Sequence, residues 1–194
     1  TLRMHPVRII ILLVFCVLGM SACVDQVSSL DTDVFRQRSE GIAQELKATL
    51  GLQLKSALQS GGPVPALQVC KQVAQPLTRN VSEQYTSVSV SRTALKVRNP
   101  ENRANVESTS ILERWLGELS DGRTLEVDVA VDGSQVVVHH PLMTEQVCLK
   151  CHGSSDTFPL ELQTALDDLY PEDEATEFEL GELRGAIRVE FFSE

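Results

Sequence analysis

The chain has 194 residues, 17 basic and 27 acidic for a formal charge of −10, with 42% hydrophobic and 5% aromatic side chains. That length builds one compact core rather than two, and the composition excludes both a disordered chain and a polytopic membrane protein. The acidic balance argues against phosphate backbones, so no nucleic acid is expected as a partner.

Arg3, His5 and Arg8 precede an apolar run from Ile9 to Leu18, followed by Gly19-Met20-Ser21-Ala22-Cys23. This is the layout of an export signal, too short to span a bilayer, so residues 1–22 are expected to be removed. Met20-Ser21-Ala22-Cys23 also resembles the bacterial lipobox, which makes Cys23 a lipidation site, with plain cleavage as the alternative. Acyl chains stabilise membrane attachment by about 0.8 kcal/mol per buried methylene. The expectation is a lipoprotein on the periplasmic side, with 23–30 as a tether and 31–194 as the domain.

From Asp31 or Thr32 a long helix is predicted, with Ile42, Leu46, Leu50, Leu54 and Leu58 four apart and Gly61-Gly62-Pro63 as its stop. A second helix opens at Pro65 and carries Ala66, Leu67, Cys70, Val73 and Ala74 on one apolar face, until Pro76 breaks or kinks it. Thr86 to Arg92 and Leu95 to Arg98 alternate as half-buried strands, and Arg98 to Asn102 reads as a loop. An amphipathic helix follows with Leu112, Trp115, Leu116 and Leu119 on one face. Leu125 to Val131, the Asp132-Gly133 turn and Gln135 to His140 form a hairpin, ended by a Pro141 break. A helical turn is expected around Cys148, a short helix over Leu160 to Leu169, and a last strand over Ile187 to Phe191. The acidic stretch Asp167 to Glu182 reads as a solvated loop rather than a docking patch. This order gives an α+β fold, an antiparallel sheet with flanking helices.

Cys148-Leu149-Lys150-Cys151-His152 is a C-x-x-C-H sequence, the attachment signature of c-type haem. The two thiols match the two vinyl groups of the porphyrin, and the next residue brings its imidazole to the iron from the same side. A structural zinc site needs a second ligand pair, which only the adjacent His139-His140 offers. A disulfide oxidoreductase needs its C-x-x-C at the mouth of a helix in a βαβ unit. One covalently held haem, with His152 as the proximal ligand, is therefore the expectation.

Five cysteines are present. Cys16 leaves with the signal, Cys23 takes lipid, Cys148 and Cys151 belong to the motif, and Cys70 is left over. Candidates for the sixth iron ligand are Cys70, Met143, His139 and His140. Met143 lies too close to the first haem cysteine to cross to the opposite face. Strand alternation sends His139 and His140 to opposite faces, and one of them, His140, is a candidate to line the pocket. Cys70 is either a small buried hydrophobe or a ligand, and an oxidising compartment favours ligation. A thiolate opposite His152 would stabilise ferric iron and give a low-potential, six-coordinate centre.

Val69-Cys70, Arg92-Thr93-Ala94-Leu95-Lys96-Val97-Arg98-Asn99-Pro100-Glu101-Asn102, Cys148-Leu149-Lys150-Cys151-His152-Gly153, Tyr170 to Thr176 and Gly181 to Ile187 together resemble the c-type haem proteins of domain-of-unknown-function family 3365. The resemblance spans roughly Asp31 to Phe192. It implies a PAS-like sheet with a long N-terminal helix, covalent haem, and an axial pair of His152 and Cys70. Two positions depart from the pattern: Glu177-Phe178, where such proteins often show glycine then tyrosine, and Glu182 in place of aspartate. Arg92 and Arg98 are candidates to neutralise the haem propionates, or else solvated strand arginines. The expected role is one-electron transfer or redox reporting with an unidentified redox partner or signalling protein. The alternative is a haem-based redox or gas sensor acting through a separate partner. A small peroxidase, with His139 or His140 as its base, ranks last, so enzymatic activity is not expected.

Overall fold

The computed structural model describes residues 21–132 and 135–192. The expected export signal, the lipidation of Cys23 and the Gly133 turn involve groups outside the described backbone and side chains. Helix α1 spans Ser21–Gly61, so the stretch 23–30 read as a tether is helical and the helix is already in place ten residues before Asp31. Its i, i+4 ladder buries Ile42 and Leu46 completely, while Leu50, Leu54 and Leu58 are only partly covered. The helix stops where Gly62 adopts φ +82°, a left-handed conformation that suits glycine.

Helix α2, Pro63–Gln72, starts on a proline at its first turn and leads into α3, Ala74–Glu83, which sequence reasoning missed. Pro76 does interrupt the run, but the break falls earlier, at Val73. The proline ring clashes with the carbonyl four residues back, Gln72, so α2 ends there. Pro76 then occupies the first turn of α3, where its missing N–H has no intrahelical partner to lose.

Four antiparallel strands, β1 (Val88–Thr93), β2 (Asp128–Asp132), β3 (Gln135–Met143) and β4 (Leu183–Phe191), lie in the order β1-β4-β3-β2. The hairpin is present, with Asp132 opposite Gln135. The Pro141 break is not: β3 runs through it, pairing Pro141 with Ala186. Pairing with β2 ends at Asp128 opposite His139, so at Pro141 the strand has a neighbour on one side only and tolerates a residue without an N–H. Leu95 to Arg98 is not a strand either. After Thr93 the chain turns back on itself, with Ala94 bonded to Asn102 O and Ala104 N, and a short turn at Pro100–Asn102.

Helix α4, Val106–Ser120, is capped by Asn105, whose side chain accepts from Ser108 N at 2.8 Å. It packs Ile111, Leu112 and Trp115 on one face of the sheet against Leu183 and Ala186. Leu116 is 44% exposed, against the amphipathic reading. The other face packs Val90, Val138, Ile187 and Val189 against Ile42 and Leu46 of α1. Burying a side chain of this size contributes about 1.5–3 kcal/mol, so each face is held by several such terms. Beyond the sheet, the haem-signature turn α5 (Leu149–His152) and helix α6 (Leu160–Leu169) close a third cluster, in which Leu162 and Leu166 meet Leu67 of α2, Phe158 and Tyr170. Among the described residues no helix is long and apolar enough to cross a membrane.

Candidate functional site

Tyr170 of the third cluster and one end of the sheet border a half-open cavity of about 200 Å³. Cys70 enters it from α2, Arg92 and Thr93 from the end of β1, Val97 and Arg98 from the loop after it, Leu142 from β3, His152 from α5, and Arg184 with Gly185 from β4. The floor needs glycine at 185, because a Cβ there would stand 2.4 Å from Thr93 O.

His152 is oriented by the backbone. Its Nδ1 donates to Ala175 O at 2.6 Å, which leaves Nε2 as the lone-pair nitrogen. A ligating histidine is commonly fixed in this way. The carbonyl is held in place because segment 173–178 runs beside the turn, with Glu177 N bonded to Gly153 O and Phe178 N to His152 O. Glu177 takes φ +61°, the left-handed region where glycine is at ease, so the departure from the family pattern falls on a strained position. Ser155 offsets the strain by donating its N and Oγ to the Glu177 carboxylate, at 2.8 and 2.7 Å. Burial beside Arg98 and Arg184 holds the His152 pKa well below its ordinary value, so the ring is neutral.

The thiols of Cys70, Cys148 and Cys151 are free. Cys151 packs against the α6 cluster, and Cys148, at the N-cap position of α5, accepts from Glu145 N at its Sγ at 3.4 Å. Burial pushes the Cys70 thiol up, and Arg98, Arg92 and Arg184 oppose that shift. An imidazole with a free ring nitrogen and a thiol surrounded by three guanidinium groups thus face one space, with two further thiols beside the imidazole.

Met143 and the histidine pair are elsewhere. Met143 packs on the α4 side of the sheet. His139 and His140 do part to opposite faces: His139 Nε2 meets Ser108 Oγ of α4 at 2.9 Å, and His140 Nε2 meets Ser39 Oγ of α1 at 2.8 Å. His140 therefore does not line the cavity, contrary to expectation, because the face it points to is covered by α1. Its Nδ1 is engaged by Glu40, at 3.2 Å.

Arg98 is buried in an ion pair with Asp173 at 2.8 Å, while Arg92 reaches Gln75 Oε1 at 3.1 Å and leaves its Nε buried and unpartnered. Neither is a solvated strand arginine. Nor is the stretch 167–182 simply a solvated loop, since Asp173 serves Arg98 and Glu174 pairs with Arg103 at 2.9 Å.

The model of the Tll0287-like family matches residues 26–191. The chain belongs to this family. A solved structure, the crystal structure of the cyanobacterial haem protein Tll0287, covers 88% of this chain and 96% of its own, at a TM-score of 0.55 and 21% identity. A search of curated proteins found no match. The likeness to the solved structure is one of fold, and it fits the α+β, PAS-like sheet described above. The Tll0287-like span takes in every residue named on the cavity wall. It is also a haem-protein family of the kind that the sequence motifs resemble.

Arg184, Tyr170 and Asp173 entered the sequence reading only within the family-like stretches Tyr170 to Thr176 and Gly181 to Ile187, not as site residues. Tyr170 lies under Arg98, 5.9 Å from guanidinium to ring centre, and burial pushes its pKa up to about 12. Arg184 gave no signal in strand alternation because it sits in an irregularity. Leu142 pairs with Gly185 and Met143 with Leu183, so Arg184 is the extra residue of a bulge. Bulges re-aim side chains in this way.

Proposed function

We propose that this chain is an exported monohaem c-type haem protein that works in one-electron transfer or redox reporting. Cys148 and Cys151 would hold the haem through thioether links, and His152 and Cys70 would ligate its iron. The observation that carries this reading is that Cys70 and His152, 82 residues apart in sequence, line one cavity while Met143, His139 and His140 do not. The orphaned, buried Arg92 Nε beside this cavity fits an anionic group in the same space.

His152 contributes a fixed ring: the Ala175 carbonyl selects the tautomer and raises the basicity of Nε2. Cys70 contributes a sulfur that burial holds toward the thiol and the surrounding guanidinium groups draw toward the thiolate, so its charge would come with iron ligation. When bound, the haem supplies a one-electron couple, which thiolate ligation sets low. Cys23 anchors the protein by lipid on the periplasmic side, and the electron goes to or comes from a separate redox partner.

The test is to mature the full chain in a host with a cytochrome c assembly system and record spectra in both oxidation states, with and without carbon monoxide. Expected are pigment that stays with the protein in acidified organic solvent, a low-spin ferric spectrum with thiolate features, and no gas uptake. Gas binding confined to the reduced state would assign the protein to sensing, and high-spin ferric iron that reacts with peroxide would make it an enzyme. Colourless or extractable material would overturn the reading.

A further inference from the structure

We infer that Arg92 and Arg184 form a carboxylate subsite that takes the two propionates of the haem, and that Arg98 is not part of it. The inference rests on the haem reading above and adds the assignment of its anionic groups.

Three guanidinium groups line the cavity, but they are not equivalent. Arg98 is already neutralised. Its Nη2 and Nε lie 2.8 and 2.9 Å from Asp173 Oδ2, and Nη2 also donates to Cys151 O at 2.6 Å and Ala175 O at 3.3 Å. Those acceptors lie in the attachment turn and in segment 173–175 beside it, so Arg98 braces the turn and its charge is already met by Asp173.

The hydrogen bonds of Arg92 and Arg184 go only to neutral groups, and Asp173, whose charge reaches Arg184, is already paired with Arg98. Arg92 donates to Gln75 Oε1, itself bonded to Asn102 through the Gln75 amide nitrogen, and its Nε is buried with no partner. Arg184 donates to Lys96 O at 3.0 Å and lies over the Phe178 ring at 5.1 Å. Among the described residues neither makes an ion pair. Burial lowers the pKa of both, that of Arg184 to about 10, the response of a cation short of counter-charge. The bulge that makes Arg184 the extra residue of β4 is what brings it to the cavity instead of leaving it in the strand's alternation.

Charge then selects the ligand groups. Ferric iron, a dianionic porphyrin ring and one axial thiolate sum to zero, so the propionates are the charge that remains. Two carboxylates meet two uncompensated guanidinium groups, whose planar forks suit bidentate pairing.

The test uses holoprotein of the full chain, as wild type, Arg92→Gln, Arg184→Gln, the double variant, and the two lysine variants. Resonance Raman reads the propionate bending modes, and the visible spectrum reports that haem is attached. Each Gln variant is expected to shift the bands of one propionate and the double variant both. The lysine variants, which keep the charge and lose the fork, shift them less and serve where a Gln variant does not accumulate. Wild-type bands in all variants would overturn the subsite while leaving the haem reading intact. A wild type without attached haem would overturn both.

Discussion

His152 and Arg98 share the Ala175 carbonyl, which accepts from His152 Nδ1 at 2.6 Å and from Arg98 Nη2 at 3.3 Å. Arg98 also holds Cys151 O, and Asp173 holds both the Arg98 guanidinium and, through Oδ1, Ala175 N at 2.8 Å. One buried ion pair therefore fixes the turn that carries the C-x-x-C-H residues and the segment that orients the histidine.

Arg98→Leu leaves Asp173 buried without its partner. Side chains 6% and 10% exposed are barely screened, so a loss of about 3–5 kcal/mol in unfolding free energy is expected, and Asp173→Leu should cost a similar amount. The double Leu variant should cost less than the two losses added together. Urea unfolding of the four proteins checks this, and additive losses would show that the pair acts independently.

Acid should weaken the fold through His139. Its ring is fully buried between α4 and the sheet, facing Ser108 of α4 and Arg188 of β4, opposite Asp128 of β2 and adjacent to His140. Burial first, then Arg188 and His140, lower its pKa to about 4. Because the folded value lies below the unfolded one, the neutral ring's contribution is fully present above pH 6.5 and is lost as pH falls towards 4. The loss amounts to roughly 3 kcal/mol. His139→Gln, unfolded across that range, should show a shallower pH dependence. His140 retains a smaller effect of the same sign, since burial lowers its pKa and Glu40 opposes the shift.

Replacing Cys70 by Ala in the holoprotein should keep the haem attached and abolish the thiolate features of the ferric spectrum, with a rise in midpoint potential. Each 59 mV of that rise corresponds to about 1.4 kcal/mol of ferric preference lost. An unchanged ferric spectrum would show that the sixth ligand comes from another residue.

Two glycine-to-alanine changes should have opposite signs. At Gly185 the new Cβ meets Thr93 O at 2.4 Å and Ala94 Cβ at 3.0 Å, so backbone must move, at a cost of about 1–3 kcal/mol and with less haem incorporated. At Gly117, inside α4, nothing lies within 4 Å, and alanine should stabilise by about 0.5–1 kcal/mol. Thermal unfolding and the haem-to-protein ratio check both.

What the sequence made legible were features governed by near neighbours. Leu160–Leu169 is the helix expected, the 128–140 hairpin follows its alternation, and the parting of His139 from His140 follows from strand geometry alone. The leftover-cysteine argument singled out Cys70, which the fold brings to the same cavity as His152. Features set by distant contacts were not legible. Val97 and Arg98 alternate like a strand, yet Val97 O bonds Glu174 N and Arg98 bonds Asp173, so a loop over seventy residues away decides their conformation. Nothing in the local pattern of Leu183 to Ala186 announces the bulge that sends Arg184 to the cavity. His140 was misplaced because alternation gives a face but does not say which helix covers it.

The strand order has a bearing on how the molecule is made. β4 lies between β1 and β3 and is the last of these four strands in chain order, so β1 is joined to the β2–β3 hairpin only once Leu183–Phe191 is in place. Until then the sheet cannot be completed, and the Cys148–His152 segment, already translated, sits in an unclosed chain. A chain truncated ahead of Leu183 would leave β1 and the hairpin with no strand to join them.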